Sequence, residues 1–259
     1  MKITILYDDH KINDALISHH GFSACIEYNE QNILFDTGQD ESTLLHNAKK
    51  LGIDLDKVTH ILLSHGHYDH TGGAHYFTGK AKIFAQEGIF GEKYREKEGS
   101  TYIGIPLRFK ERLREFVVFN NEMTEILPDV YLSGKLTARE KTGLYHKTRK
   151  GITNDYMDDE QFLIIKTQKG AVIITGCSHK GIINIVTYVL TKVKMPIHAI
   201  VGGLHLYNVE RKKIAETANY LRNLTNQLYY CHCTGKNAEE ILNRALNAEK
   251  LGVGSIITL

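Results

Sequence analysis

Along the first third of the chain, apolar and polar residues alternate over short runs, and only one run switches to helical spacing. Lys2–Tyr7 predicts a strand, and Phe22–Tyr28 with Asn32–Asp36 predicts a hairpin across the polar turn Asn29-Glu30-Gln31. Leu44, Leu45, Ala48 and Leu51 recur at the 3.6-residue period, so Glu41–Leu51 is expected to be a helix stopped by Gly52. The apolar run Thr59–Leu63 predicts the next strand. A short helix near His70 and a strand at Lys82–Ala85 follow.

The pattern weakens between Gly88 and Lys150, where charge and glycine interrupt it. A helical Lys110–Glu115 and strands at Phe116–Phe119 and Val130–Leu132 are the periodic pieces, and the segment reads as a lid-like insertion or a surface excursion. Beyond it, strands Phe162–Lys166 and Ala171–Thr175 form a hairpin, and a helix from about Gly181 carries Ile182, Ile185, Val186, Val189, Leu190 and Val193 on one face. Strand His198–Val201, helix Val209–Leu224, strand Gln227–His232, helix Asn237–Asn247 and strand Ser255–Thr258 complete the series. Strands alternating with helices suit sheets covered by helices on their outer faces, an α/β (α+β) architecture within a single domain over 1–259.

Composition changes this picture little. The 259 residues are 42% hydrophobic with a net charge of +2, so nothing global points to nucleic acid or a membrane surface. No apolar run approaches the roughly 20 residues of a membrane helix. Four cysteines (Cys25, Cys177, Cys231, Cys233) form no disulfide framework, which makes a reducing, cytoplasmic setting the expectation.

The chemistry concentrates in Ser64-His65-Gly66-His67-Tyr68-Asp69-His70, directly after an apolar strand. Residues two apart at a strand exit project to the same side, so His65 and His67 can grip one cation. Asp69 and His70, at the turn into the next helix, can reach a second. Imidazole with carboxylate suits Zn, Mn or Fe, and the absence of a four-cysteine box argues against a structural zinc.

Phe35-Asp36-Thr37-Gly38 and the His65–His70 run through Gly72-Gly73 resemble the metallo-β-lactamase superfamily. Thr175-Gly176-Cys177-Ser178-His179, Gly202-Gly203-Leu204-His205 and Cys231-His232-Cys233-Thr234-Gly235 resemble one branch of it, whose members are called dihydropterin-ribofuranosyl-aminobenzene phosphate synthases or metal-dependent hydrolases. The resemblance implies a four-layer αββα sandwich holding one or two divalent metals, Zn foremost, with Mn, Fe or Ni as alternatives. It adds His179 to the first metal position and His232 to the second. On a continuous strand Cys231 and Cys233 would point away from His232. Asp36 is expected either to orient a ligand histidine or to cap its turn.

One departure stands out. Where most of the superfamily ends a strand in Gly-Asp, with a bridging carboxylate, this chain has Gly176-Cys177, and the next strand runs into His205. Cys177, His205 or no side chain at all is left to bridge. His10, His19 and His20 read as surface histidines, with lining of the cleft as the alternative; His60, His75, His146 and His198 carry no functional reading; and Tyr68 either touches substrate or packs.

The expected chemistry is metal-assisted attack by water on an ester or phosphoester of a small anionic molecule, with His67 and Asp69 as catalytic residues. Six Lys/Arg against one Glu between Lys135 and Lys150 make Arg139, Lys147, Arg149 and Lys150 candidate anion holders. The branch name implies instead a transferase joining a pterin methyl diphosphate to an aminobenzene ribofuranosyl phosphate. A non-catalytic metal- or ligand-binding protein is the remaining alternative. Small molecules, rather than nucleic acid or membrane, are the expected partners.

Overall fold

A computed structural model describes residues 1–225 and 227–259. Two seven-stranded sheets carry the architecture. The first runs, in spatial order, Ile256–Thr258, Lys2–Tyr7, Ser23–Tyr28, Gln31–Phe35, Val58–Leu62, Lys82–Ala85 and Val117–Phe119. The second runs Ala248–Lys250, Gln227–Cys231, Ile197–Gly203, Gly170–Thr175, Leu163–Thr167, Val130–Leu132 and Thr124–Leu127. Each sheet has an antiparallel part and a parallel part.

The helices are α1 (Glu41–Lys50), α2 (Tyr68–Thr71), α3 (Leu107–Arg114), α4 (Ile182–Lys192), α5 (Arg211–Arg222) and α6 (Lys236–Ala245). Asp40 caps α1 by accepting from Thr43 N, which satisfies one of the donors a helix start leaves open. In the second sheet α4, α5 and α6 are the crossovers between successive parallel strands, as parallel pairing requires.

Alternation along the strands builds three apolar layers. Ile3, Ile5, Phe35 and Leu62 of the first sheet meet Leu163, Val172, Ile174 and Val201 of the second. Ile173, Ile200 and Leu228 face outward against Ile185, Val189, Ile214 and Leu242 of the helices. On the opposite outside, Leu34 and Ile61 pack on Leu44, Ala48 and Leu113. The result is the αββα sandwich.

Two expectations need correction. The range 88–150 is not one insertion: Val117–Phe119 and Val130–Leu132 are strands of the two main sheets, because their apolar residues pair with those sheets' edges. What stands apart is a three-stranded sheet of Lys93–Tyr94, Tyr145–Thr148 and Gly151–Asn154. The strand predicted to reach His232 stops at Cys231, and His232–Thr234 forms a 3-10 turn. Side-chain alternation therefore ends there: Cys231 enters the inter-sheet core and Cys233 turns to the cavity described below.

Candidate metal centre

The site gathers where parallel strands end. Strand Gln31–Phe35 delivers Asp36 in left-handed backbone, φ +56°. Its Oδ1 accepts from Ser64 N at 2.7 Å, and Oδ2 accepts from Ser64 Oγ and lies 2.7 Å from His70 Nδ1. One buried carboxylate thus fixes the start of the histidine run and one of its rings. His67 occupies the cap position of α2 with no capping bond from its side chain, and Thr71 Oγ1 donates to its carbonyl at 2.8 Å. Gly66 between the two histidines has no room for a side chain, since a Cβ would lie 2.1 Å from Ile89 O. Its N–H donates to Asp159 Oδ2 at 2.8 Å, and Asp159 in turn accepts from the buried Lys93.

The second sheet supplies the opposite side. Glu160 accepts from the backbone N–H groups of His179 and Lys180, both at 2.7 Å, and burial pushes its carboxyl up to about 7. Ser178 Oγ donates to Gly203 O rather than capping a helix, and α4 begins only at Ile182. His232 N donates to Asp8 Oδ2 at 2.9 Å. Asp36, Ser178, His205 and His232 all have positive φ, a conformation that disfavours side chains and costs about 1–3 kcal/mol each. Such strain persists only where surrounding contacts enforce it; of the four, His205 and His232 line the cleft, while Asp36 and Ser178 are buried behind it on His70 and Gly203.

Two triads result, each with its potential ligand atoms within 4.8 Å of one another: His65, His67 and His179, and Asp69, His70 and His232. His67 Nε2 and both ring nitrogens of His179 are buried without a hydrogen-bond partner. His232 Nε2 stands 3.4 Å from Asp69 Oδ2 without hydrogen-bond geometry. Buried polar atoms are normally satisfied, so a cluster of such orphans fits a missing partner that accepts lone pairs. Burial holds His65 and His179 well below the usual imidazole range and brings His67 to about 3, which leaves neutral rings suited to ligation. Burial pushes Asp69 upward, but His70 and His232 outweigh it and hold the carboxyl well below its ordinary value. Three neutral imidazoles in the first triad, and an ionised carboxylate beside two imidazoles in the second, are donor sets that fit a divalent cation. Burial opposes the charge on His232, but Asp69 and Asp9 outweigh it and raise that ring well above the usual imidazole range, so ligation there would release a proton.

His67, His179, Asp69 and His232 of the triads line a cavity of about 540 Å³, with His65 and His70 buried behind them. Tyr68, Arg95, Ile103, Leu144, Tyr207 and Asn208 also line it.

A family model described as the metallo-β-lactamase superfamily matches residues 19–144. A Methanocaldococcus jannaschii protein named 7,8-dihydropterin-6-methyl-4-(β-D-ribofuranosyl)-aminobenzene-5'-phosphate synthase is 30% identical, with 99% of this chain and 96% of that protein covered. The chain belongs to the metallo-β-lactamase superfamily. An uncharacterised protein of the same organism is 33% identical over 96% of this chain and 97% of its own. A crystal structure described as a metal-dependent hydrolase of the same superfamily superposes with a TM-score of 0.89 at 30% identity, covering 100% of this chain and 99% of that one.

At the point where most of the superfamily carries its bridging aspartate, Cys177 Sγ lies 3.2 Å from His70 Nε2, and His205 sits across from it beside Cys233. The candidate anion holders are elsewhere. Arg139 stacks over Tyr156, Lys147 pairs with Glu92 at 3.3 Å, and neither they nor Arg149 and Lys150 line the cavity. The three-stranded sheet turns that basic run outward, and it brings in Arg95 instead.

His20, read as a surface histidine, also belongs to the site. Its Nε2 is 3.2 Å from Asp69 Oδ2 and its Nδ1 3.0 Å from Asp9 Oδ1, while Asp9 Oδ2 reaches His232 Nδ1 at 3.2 Å. The structure explains its placement: Gly21, with φ +138° and an added Cβ that would lie 2.3 Å from Asp69 O, lets this loop press against the metal run. The remaining histidines make local contacts, such as His60 stacked on Phe84 and His75 paired with Glu41.

Proposed function

We propose that this protein is a metal-dependent enzyme that hydrolyses an ester or phosphoester of a small anionic molecule. The observation that carries the reading is the meeting of two buried donor triads at an accessible cavity. A divalent cation bound there, with Zn as the expectation from the imidazole-rich donors, supplies Lewis acidity that lowers the pKa of water from about 15.7 toward about 7.

The protein's own residues do the rest. Asp69, ionised and 3.2 Å from His20, is placed to accept a hydrogen bond from an attacking water and fix its orientation. Asp36 holds the His70 ring in one orientation. Arg95 is the one Arg or Lys on the cavity wall among the described residues, and it suits a carboxylate or phosphate by its forked donors. Tyr68, Tyr207, Ile103 and Leu144 offer flat and apolar surface to the remainder of the substrate.

The name of the relative at 30% identity supports a second reading. There the same site couples a dihydropterin methyl diphosphate to an aminobenzene ribofuranosyl phosphate: the aromatic amine nitrogen, in place of water, bonds to the pterin methyl carbon and loses a proton as the carbon–oxygen bond breaks and diphosphate leaves. A screen of metal-replete protein against phosphomonoesters, phosphodiesters, lactones and the pterin diphosphate, with and without the aminobenzene partner, separates the two. Metal-dependent ester cleavage without the partner supports hydrolysis, and coupled product without hydrolysed pterin supports the transferase. Fully loaded protein that turns over none of these, and behaves identically to His67→Ala, would defeat both. For the accepted substrate, Arg95→Ala is expected to raise KM about tenfold, equivalent to one charge-assisted contact of roughly 1.4 kcal/mol.

A further inference from the structure

Cys177, His205 and Cys233 belong to neither triad, yet all three face the same cavity. They follow the carboxyl ends of three adjacent parallel strands, Gly170–Thr175, Ile197–Gly203 and Gln227–Cys231. Their potential ligand atoms lie within 4.8 Å of one another. Donors around a tetrahedral zinc with bonds of about 2.0–2.3 Å stand roughly 3.3–3.8 Å apart, so small side-chain rotations bring these three onto one ion.

The backbone is shaped for this grouping. His205 itself has φ +49°, and Cys233 follows His232 at φ +48°. His205 N donates to Cys233 Sγ at 3.3 Å, which orients the sulfur. Gly203 makes the space, because a Cβ there would lie 2.7 Å from Cys233 Sγ and 2.5 Å from Gly176 O. His205 Nδ1 is buried with no hydrogen-bond partner, an independent sign of an absent occupant. Two sulfurs and an imidazole make a soft donor set, unlike the imidazole–carboxylate triads beside it.

We propose that Cys177, His205 and Cys233 form a third cation position, selective for a soft ion such as Zn²⁺ or Cd²⁺, with a fourth coordination place open to the cavity. Cys177, 3.2 Å from His70 Nε2, is the seam between this position and the Asp69–His70–His232 triad. The ion there would sit on the wall beside Tyr207 and Asn208, where it can hold a polar or anionic group of a ligand.

The test is equilibrium dialysis of reduced, full-length protein against Cd²⁺, with metal analysis and near-ultraviolet thiolate-to-metal absorption. Wild type is expected to bind three equivalents. Cys233→Ser and His205→Ala should each bind two, and Cys233→Ser should lose about half of the thiolate absorption, with far-ultraviolet circular dichroism unchanged in at least one variant. Two equivalents in wild type, with stoichiometry and absorption unaltered in both variants, would mean that Cys177 serves the neighbouring triad alone and would overturn the proposal. Two rather than four titratable thiols in unfolded protein purified with reductant excluded and oxygen absent would overturn it as well, by revealing a Cys177–Cys233 disulfide. Absence of any bound metal would instead remove the two triads, and with them the hydrolase reading.

Discussion

Individual side chains in this site are held by bonds that can be removed singly. Asp36 makes three contacts at 2.7 Å, and the one to His70 Nδ1 decides which way that ring presents Nε2. Asp36→Asn keeps the shape and the Ser64 contact but weakens the hold on the imidazole. Metal affinity at the second triad should fall about 10–100-fold, as measured by competition with a chromophoric chelator. An unchanged affinity would show that the carboxylate serves only the turn. The residues legible from spacing alone were those within one short run, because His65-x-His67-x-Asp69-His70 survives any fold that places it after a strand, whereas His179 and His232 were expected only through the family resemblance. Asp9 and Arg95 were not legible, and the surface reading was preferred for His20, since all three arrive on aperiodic loops whose path is set by contacts such as Gly21 against Asp69 O. Cys233 was misdirected by a strand that ends one residue sooner than its apolar pattern suggests.

At the scale of elements, the long periodic helices and buried strands followed the hydrophobic pattern closely, as the α4 face shows. Ile185 and Val189 are fully enclosed between that helix and the second sheet. Ile185→Ala should therefore cost about 2–5 kcal/mol in urea unfolding. Edge strands such as Ala248–Lys250 and Thr124–Leu127 carry no clear alternation, because only one side of each pairs and their residues are partly exposed. The small three-stranded sheet is tied down by Lys93, which is buried between Asp155 at 2.8 Å and Asp159 at 2.7 Å. Burial opposes the Lys93 charge, but the two carboxylates outweigh it and raise the ammonium to about 12. Lys93→Met leaves both acids uncompensated and should destabilise by about 3–5 kcal/mol. Burial alone would raise Asp155, but Lys93 brings it below its ordinary 3.8. A lowered carboxylate stabilises above its unfolded value and loses that contribution as pH falls through the folded one. Wild-type stability should thus decline below about pH 3.8. In Lys93→Met this part of the acid dependence should disappear from pH-dependent denaturation curves.

For the molecule as a whole, the donors of each triad come from both sheets: His65, His67, Asp69 and His70 from the first, His179 and His232 from the second. Removing the metal should lower thermal stability. An ion present at a thousand times its dissociation constant stabilises by about 4 kcal/mol, which for a chain of this size is a melting shift on the order of 10 °C. Calorimetry with and without a chelator measures it, and coincident curves would show that the triads bind too weakly to matter at the concentration used. The order of strands and helices pointed to sheets covered by helices, and the family resemblance supplied the four-layer sandwich that the structure has. The narrowness of the separate sheet near the cavity was not, because pairing of Val117–Phe119 and Val130–Leu132 with the main sheets depends on partners far along the chain.

This shared ownership of the donors has a kinetic corollary. Before the sheets dock, each carries only a fragment of either ligand set, so a nascent or refolding chain offers no competent grip until its halves meet. Ion capture then works as a latch that closes after docking, and in stopped-flow refolding its signal should trail the recovery of secondary structure.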